Sequence, residues 1–233
     1  MKFIRRVIWY LQRNSFYTFD RALTILRMLI GAPELYYRLY VIEKYRDIKL
    51  FNFSSWHHSC RYLVASRDGV RVFIKLGHNF LIHNEVEASR LLRKSGSDLV
   101  LEVIDHRISR LFSSYVTFPF LEGYAPLDEI GSMSADQRSI VEHQLKLFLA
   151  QIKSVGIVHR DIKPANIFVE KSGVSVKVID FAMSLGENLE TVQYALFNDF
   201  IQWDMGGDYK MPNGEWCDDY AMELIFKQLS ARF

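Results

Sequence analysis

The sequence predicts an α+β fold of two lobes: a small five-stranded sheet with one inserted helix, then a reduced helical lobe, with extra helices at the N-terminus. Three observations lead there. Short apolar or alternating runs bounded by turn residues crowd residues 48–118. Stretches of helical spacing lie on either side, at 4–30 and 134–155. Between the second of these and a further strand, the polar run GIVHRDIKPANIFV (156–169) sits between apolar flanks, as a loop held between buried segments would.

With hydrophobic residues at 49% and charged residues at 24% of 233, the chain can bury a core, and disordered or collagen-like readings fall away. Cys60 and Cys217 are far apart and give neither a disulfide framework nor a metal spacing, so two reduced thiols in a cytosolic protein are expected. No uninterrupted apolar run is long enough to cross a bilayer. Arg13, Asp20 and Arg21 break up the segment after the basic start, which argues against a cleaved signal peptide. The expected location is the cytoplasm or the cytoplasmic face of a membrane. The net charge of +2 is uneven: residues 1–50 hold ten lysines and arginines against four acids, a net of +6. That asymmetry points to an anionic partner for the N-terminal part.

Taken in order, residues 1–45 read as basic, aromatic helices. Ile4, Val7, Ile8 and Leu11 fall on one face, and Leu23, Leu26 and Ile30 repeat the spacing before a stop at Gly31-Ala32-Pro33. Arginines beside Trp9 and the tyrosines suit a helix lying in an anionic membrane interface. The plainer alternative is packing on the body of the protein with the arginines reaching into water. Residues 46–121 form the first lobe, with strands at 48–53, 60–65 and 70–76, a turn at Arg67-Asp68-Gly69, a helix from Glu85 to Lys94 ended by Gly96, and strands at 100–105 and 113–118. Residues 122–233 form the second lobe. There Ser134 and Gln137 make a capping box for a helix to Val155, a strand follows at 174–179, and a last helix covers 219–229.

The loop carries chemistry. A carboxylate such as Asp161 can deprotonate an attacking hydroxyl. A lysine two residues on, Lys163, can neutralise charge on a transferred group. The Asn166 amide oxygen and the Asp180 carboxylate, brought back by a hairpin, can hold a divalent cation through oxygen, as magnesium requires. This is the equipment of phosphoryl transfer.

HRDIKPAN at 159–166 resembles the protein-kinase catalytic loop, and IDFA at 179–182 resembles the metal-binding DFG turn. The resemblance to the protein-kinase-like superfamily extends over about residues 48–183. It implies ATP and Mg2+ as cofactors, Asp161 as catalytic base, Lys163 on the terminal phosphate, and Asn166 and Asp180 as metal ligands. It makes His159 a support of the loop and gives Arg160 a phosphate or acid beyond Asp180. VFIK at 72–75 resembles the strand whose lysine, here Lys75, reaches the inner phosphates; Glu85 or Glu87 is its partner, and the register of NEVEASRLL favours Glu85. PFLEG at 119–123 resembles the hinge, placing Phe120 and Leu121 at the adenine and Phe118 as gatekeeper.

Three features depart from the pattern. SSWHHSCR (54–61) stands where a glycine-rich loop precedes the lysine strand, Ala182 replaces the glycine of DFG, and no APE motif follows in the short tail. HRDIKPAN favours serine or threonine of a protein as acceptor. The short tail and the basic N-terminus keep open a lipid-linked or lipopolysaccharide-core sugar, and the altered loop and Ala182 keep open a pseudokinase acting as a binding module. No nucleic-acid partner is expected.

Overall fold

The computed structural model describes residues 33–50, 61–109, 114–172, 174–189, 207–213 and 215–231. The helices expected over 4–30, Cys60 and the turn at 54–58 lie outside them. Two compact units emerge: residues 1–79 with 106–117, and residues 80–105 with 118–233.

The first unit is built on a sheet of strands β1 (Arg46–Leu50), β2 (Arg61–Arg67), β3 (Val70–Gly77), β4 (Asp105–Arg107) and β5 (Ser114–Pro119), in spatial order β1-β2-β3-β5-β4. β2 and β3 pair antiparallel from Arg61↔Leu76 to Arg67↔Val70. Their two-residue turn, Asp68 (φ 53) and Gly69 (φ 79), is left-handed at both positions, the geometry whose twist matches that of the flanking strands. Val72, Ile74 and Leu76 alternate into the core. Ahead of the sheet, residues 33–37 are helical and continue into a π-turn, Arg38–Ile42, while the stop expected at Gly31-Ala32-Pro33 falls at the edge of the described residues. Leu39 is buried; Arg38 pairs with Glu43 at 3.4 Å, and Arg107 pairs with Glu34.

The second unit takes α1 (Asn79–Lys94), α2 (Ala135–Ser154), α3 (Asp218–Ala231) and a three-stranded sheet of β6 (Tyr124–Pro126), β7 (Ile167–Glu170) and β8 (Val176–Val178). α1 begins earlier than the expected Glu85, because Leu81, Ile82, Asn84 and Glu85 all belong to its buried face. The strand expected at 100–105 is absent as such: Val100 makes a single parallel bridge to Val178, and β4 starts only at Asp105. The earlier start of α1 is hidden by polar residues on its buried face, which blur the apolar period.

α2 is the pillar of this unit. Gln137 N–H donates to Ser134 Oγ at 3.2 Å, and Ser134 N–H donates back to Gln137 Oε1 at 2.8 Å, so the expected capping box is present. Val141, Leu145, Phe148 and Ile152 form its buried stripe. The helix stops at Gly156 (φ 69), with Gly156 N–H on Lys153 O at 3.1 Å and Ile157 N–H on Ile152 O at 2.9 Å. This left-handed stop redirects the chain into the polar loop at once. α3 packs Ala221, Met222, Ile225 and Leu229 into the same core.

Replacing Ser134 by Ala removes the cap and is expected to lower unfolding free energy by about 1 kcal/mol. Urea denaturation reads this as a lower midpoint at constant slope; an unchanged midpoint would show that the capping box contributes nothing.

Candidate active site

The loop from His159 to Asn166 begins where α2 has been stopped and ends in a single 3-10 turn, Pro164–Asn166, that opens directly into β7. Proline at the first position of that turn presets its φ. β7 and β8 then form a hairpin in register Ile167↔Val178, and Ile179 N–H donates to Asn166 O at 3.0 Å. The hairpin thereby returns Asp180 to the end of the strand pair where Asn166 stands.

Asp161 is 6% exposed, and its carboxylate is held on two sides. Lys163 Nζ lies 2.7 Å from Oδ2 and 3.0 Å from Oδ1. Asn166 Nδ2 donates to the same Oδ2 at 2.9 Å and to the Asp161 carbonyl at 2.8 Å. A buried carboxylate with a charged partner and an amide donor is held in one orientation. Because its NH2 is committed to Asp161, the Asn166 side chain can offer only its oxygen elsewhere. One amide oxygen and one carboxylate are hard donors that suit magnesium, which keeps waters and takes phosphate oxygens for its remaining positions. Among the described residues no cluster of three or more His, Cys, Asp or Glu forms a self-sufficient metal cage. The residues present therefore fit a metal held jointly with a phosphorylated ligand.

His159 is fully buried and links the two sides of the site. Asp161 N–H approaches its Nδ1 at 3.3 Å, and Nε2 lies 3.2 Å from Ile179 O. The neutral tautomer with hydrogen on Nε2 satisfies both bonds. Its ring packs 4.6 Å from that of Phe181, with Phe148 of α2 edge-on to both at 6.2 Å.

Two residues of the site, Arg160 (φ 69) and Asp180 (φ 70), lie in the left-handed region. Such positions cost roughly 1–3 kcal/mol for a residue other than glycine and persist only where neighbours enforce them. For Arg160 the enforcing group is Asp218, in the first turn of α3. Its Oδ2 accepts His159 N–H at 2.7 Å and its Oδ1 accepts Arg160 N–H at 3.1 Å, while Trp216 Nε1 also donates to Oδ1. Burial pushes the Arg160 guanidinium below its ordinary value, and the Asp218 carboxylate opposes that shift. For Arg160 the resemblance implies a phosphate or an acid beyond Asp180; Asp218, on the last helix, is a carboxylate that acts on its guanidinium and bonds its backbone N–H. No local sequence signal marks it beyond an aspartate at the start of that helix.

Ala182, which stands in place of the glycine of DFG, is buried and is not among the left-handed residues; Asp180 is. Lys75 lies on β3 of the first unit and is 3% exposed. Of the two glutamates on α1, Glu85 is buried, whereas Glu87 makes a surface ion pair with Arg90 at 3.3 Å. Phe118 is buried at the end of β5. Phe120 and Leu121 are half-buried in the turn to β6, their carbonyls accepting Glu122 N–H at 2.9 Å and Tyr124 N–H at 3.5 Å.

Residues 84–195 match the family model of the protein kinase domain. Mitogen-activated protein kinase 4 of Mus musculus is 29% identical over 115 residues, which is 49% of this chain and 18% of that protein. Mitogen-activated protein kinase 12 of Danio rerio is 24% identical over 167 residues, covering 67% of this chain and 46% of that protein. Serine/threonine-protein kinase AfsK of Streptomyces coelicolor is 32% identical over 136 residues, 54% of this chain and 16% of that protein. The matches span less than half the length of each of these relatives. Among solved structures, the kinase PK-1 of Cydia pomonella granulovirus superposes with a TM-score of 0.64 at 15% identity, over 85% of this chain and 72% of that one. That likeness is one of fold.

Changing Asp218 to Ala strips the His159 and Arg160 amides of their acceptor and is expected to lower stability by about 2–4 kcal/mol. Asp218→Asn, which keeps one oxygen, should lose less. Denaturant unfolding gives the magnitude, and amide exchange at His159 and Arg160 gives the place; unaltered exchange there would remove Asp218 as the loop's support.

Proposed function

From the premise that this chain is of the protein-kinase-like superfamily, we propose that it transfers the γ-phosphoryl group of ATP to a serine or threonine hydroxyl of a protein. The observation that carries this reading is the Asp161 carboxylate, buried and fixed by Lys163 and Asn166 beside the hairpin that returns Asp180. Asp161 takes the proton of the acceptor hydroxyl as its oxygen bonds to the γ-phosphorus, and the bond to the β-phosphate oxygen breaks to release ADP. Lys163, at Asp161, is placed to meet the negative charge of the phosphoryl group as it moves. Asn166 and Asp180 would hold magnesium, which when bound neutralises the phosphate oxygens. The resemblance assigns the inner phosphates to Lys75, the role of its partner to Glu85 and the adenine to Phe120 and Leu121.

A second reading concerns location. On the helical segment 33–42, Leu39 is buried while Tyr36, Tyr37, Tyr40, Val41 and Ile42 are exposed, two of the tyrosines at 58%. Tyr36 and Tyr40 stack at 5.3 Å, the Arg46 guanidinium lies 4.3 Å from the Tyr40 ring centroid, and Lys44 and Lys49 are also exposed. Aromatic and apolar side chains rimmed by bases favour a peripheral site on an anionic, cytoplasmic membrane face, where a lipid-linked sugar is the alternative acceptor.

Labelled ATP supplied with separated protein and lipid-glycan fractions distinguishes the acceptors. Wild-type protein should label the protein fraction, and Asp161→Asn should reduce labelling by about 10²- to 10⁴-fold while keeping magnesium-dependent ATP binding. Label confined to the glycan fraction would move the acceptor; no label in either, with nucleotide still bound, would leave a binding module.

Vesicles test the location. Co-sedimentation with phosphatidylserine vesicles should weaken with salt and fall when Tyr37, Val41 and Ile42 are changed together to Ser. Equal recovery with neutral vesicles, or none with either, would dismiss the membrane reading.

A further inference from the structure

Asn84 lies in the middle of α1, immediately before Glu85, and is 2% exposed. Its Nδ2 donates to the carbonyl of Ala182 at 3.3 Å and to that of Ser184 at 3.4 Å. A primary amide has two hydrogens, so one side chain serves both carbonyls. Those carbonyls belong to the turn that directly follows Asp180.

The opposite flank of that turn is fastened to the catalytic loop. Leu185 N–H donates to Val158 O at 2.8 Å, Val158 N–H donates to Leu185 O at 2.9 Å, and Ser184 Oγ donates to His159 O at 3.3 Å. Inside the turn, Ser184 N–H donates to Phe181 O at 3.0 Å. Residues 181–185 are therefore held by backbone bonds on one side and by a side chain of α1 on the other. The two backbone bonds to the loop are the short ones, at 2.8 and 2.9 Å. The Asn84 bonds are near the long limit, so a small displacement of α1 breaks them first.

Asp180 is left-handed without being glycine, and its backbone needs the residues after it fixed to stay there. We propose that Asn84 is a positioning residue: by clamping Ala182 and Ser184 it keeps Asp180 in the metal-holding conformation, and so couples the position of α1 to the affinity for magnesium. The proposal rests on the phosphotransfer reading above. The simpler role, satisfying two buried carbonyls, accounts for stability alone and makes no difference to the magnesium requirement.

The full chain carrying Asn84→Asp, which faces two carbonyl oxygens with a carboxylate, and Asn84→Leu, which fills the space without a donor, separates these roles. Exchange of the Ser184 and Leu185 amides is measured without ligand, against Val178 and Ile179 in the neighbouring hairpin. Magnesium needed for half-saturation of ATP binding is measured by calorimetry, beside the ATP affinity at saturating magnesium.

Expected are faster exchange at 184 and 185 alone, and a magnesium requirement raised about tenfold while ATP affinity at saturating magnesium changes little. Unchanged exchange overturns the clamp. Faster exchange with an unchanged magnesium requirement, or losses that merely track the melting temperature, leaves Asn84 a structural residue and overturns the coupling. If the wild type neither binds magnesium–ATP nor transfers phosphate, the phosphotransfer reading falls, and the coupling to magnesium with it. The exchange result then decides only whether Asn84 holds the turn.

Discussion

One carboxylate near the end of the chain holds the catalytic loop in a shape it would not keep alone. Arg160 stands in the left-handed region, which disfavours any side chain with a Cβ. Asp218 accepts the backbone N–H of His159 and of Arg160, and its charge opposes the lowering of the half-buried Arg160 guanidinium's pKa by burial. Hydrogen bonds to a charged acceptor are worth about 1.5–3 kcal/mol each, enough together to offset one strained residue. The rest of the site depends on that offset: His159 turns inward to meet Ile179 O, Asp161 turns toward Lys163 and Asn166, and the hairpin lines up Asp180.

The same logic explains why Ala182 is tolerated. The glycine it replaces would be needed if the turn placed its φ in the left-handed region at that position. Here the strain sits two residues earlier, at Asp180, and Ala182 is simply buried in the unit's interior. The turn is then stabilised by hydrogen bonds to both flanks rather than by backbone permissiveness. A turn held in this way favours one conformation over several, because rearranging it would expose bonded carbonyls without partners.

Local chemistry is legible in the sequence wherever the physics is local. The Asp68-Gly69 turn, the Ser134–Gln137 box and the spacing of Asp161, Lys163 and Asn166 each act within a few residues. Legibility fails where polar side chains occupy buried faces. The start of α1 is hidden because Asn84, Glu85 and Ser89 interrupt its apolar stripe while being as buried as Val86 and Leu92. The stretch 100–105 reads as a strand because apolar character alone does not distinguish a strand from a segment bridged at one residue, Val100. Asp218 is out of reach for another reason: its partners lie 58 and 59 residues away, and nothing local in an aspartate at a helix start announces a distant loop.

The second unit shows what holding the Asp161 loop requires. After Asp180 the loop requires a carboxylate delivered to its amides and an apolar face to close the core around α2. α3 supplies both from one helix, with Asp218 in its first turn and Ala221, Met222, Ile225 and Leu229 along its buried side. Trp216 adds its indole N–H to the same carboxylate just before the helix begins. The geometry of Asp161, Asn166 and Asp180 is therefore met by local hairpin pairing and one long-range anchor. Nothing in that constraint involves the outer surface of the unit, so that surface can diverge while the loop keeps its shape.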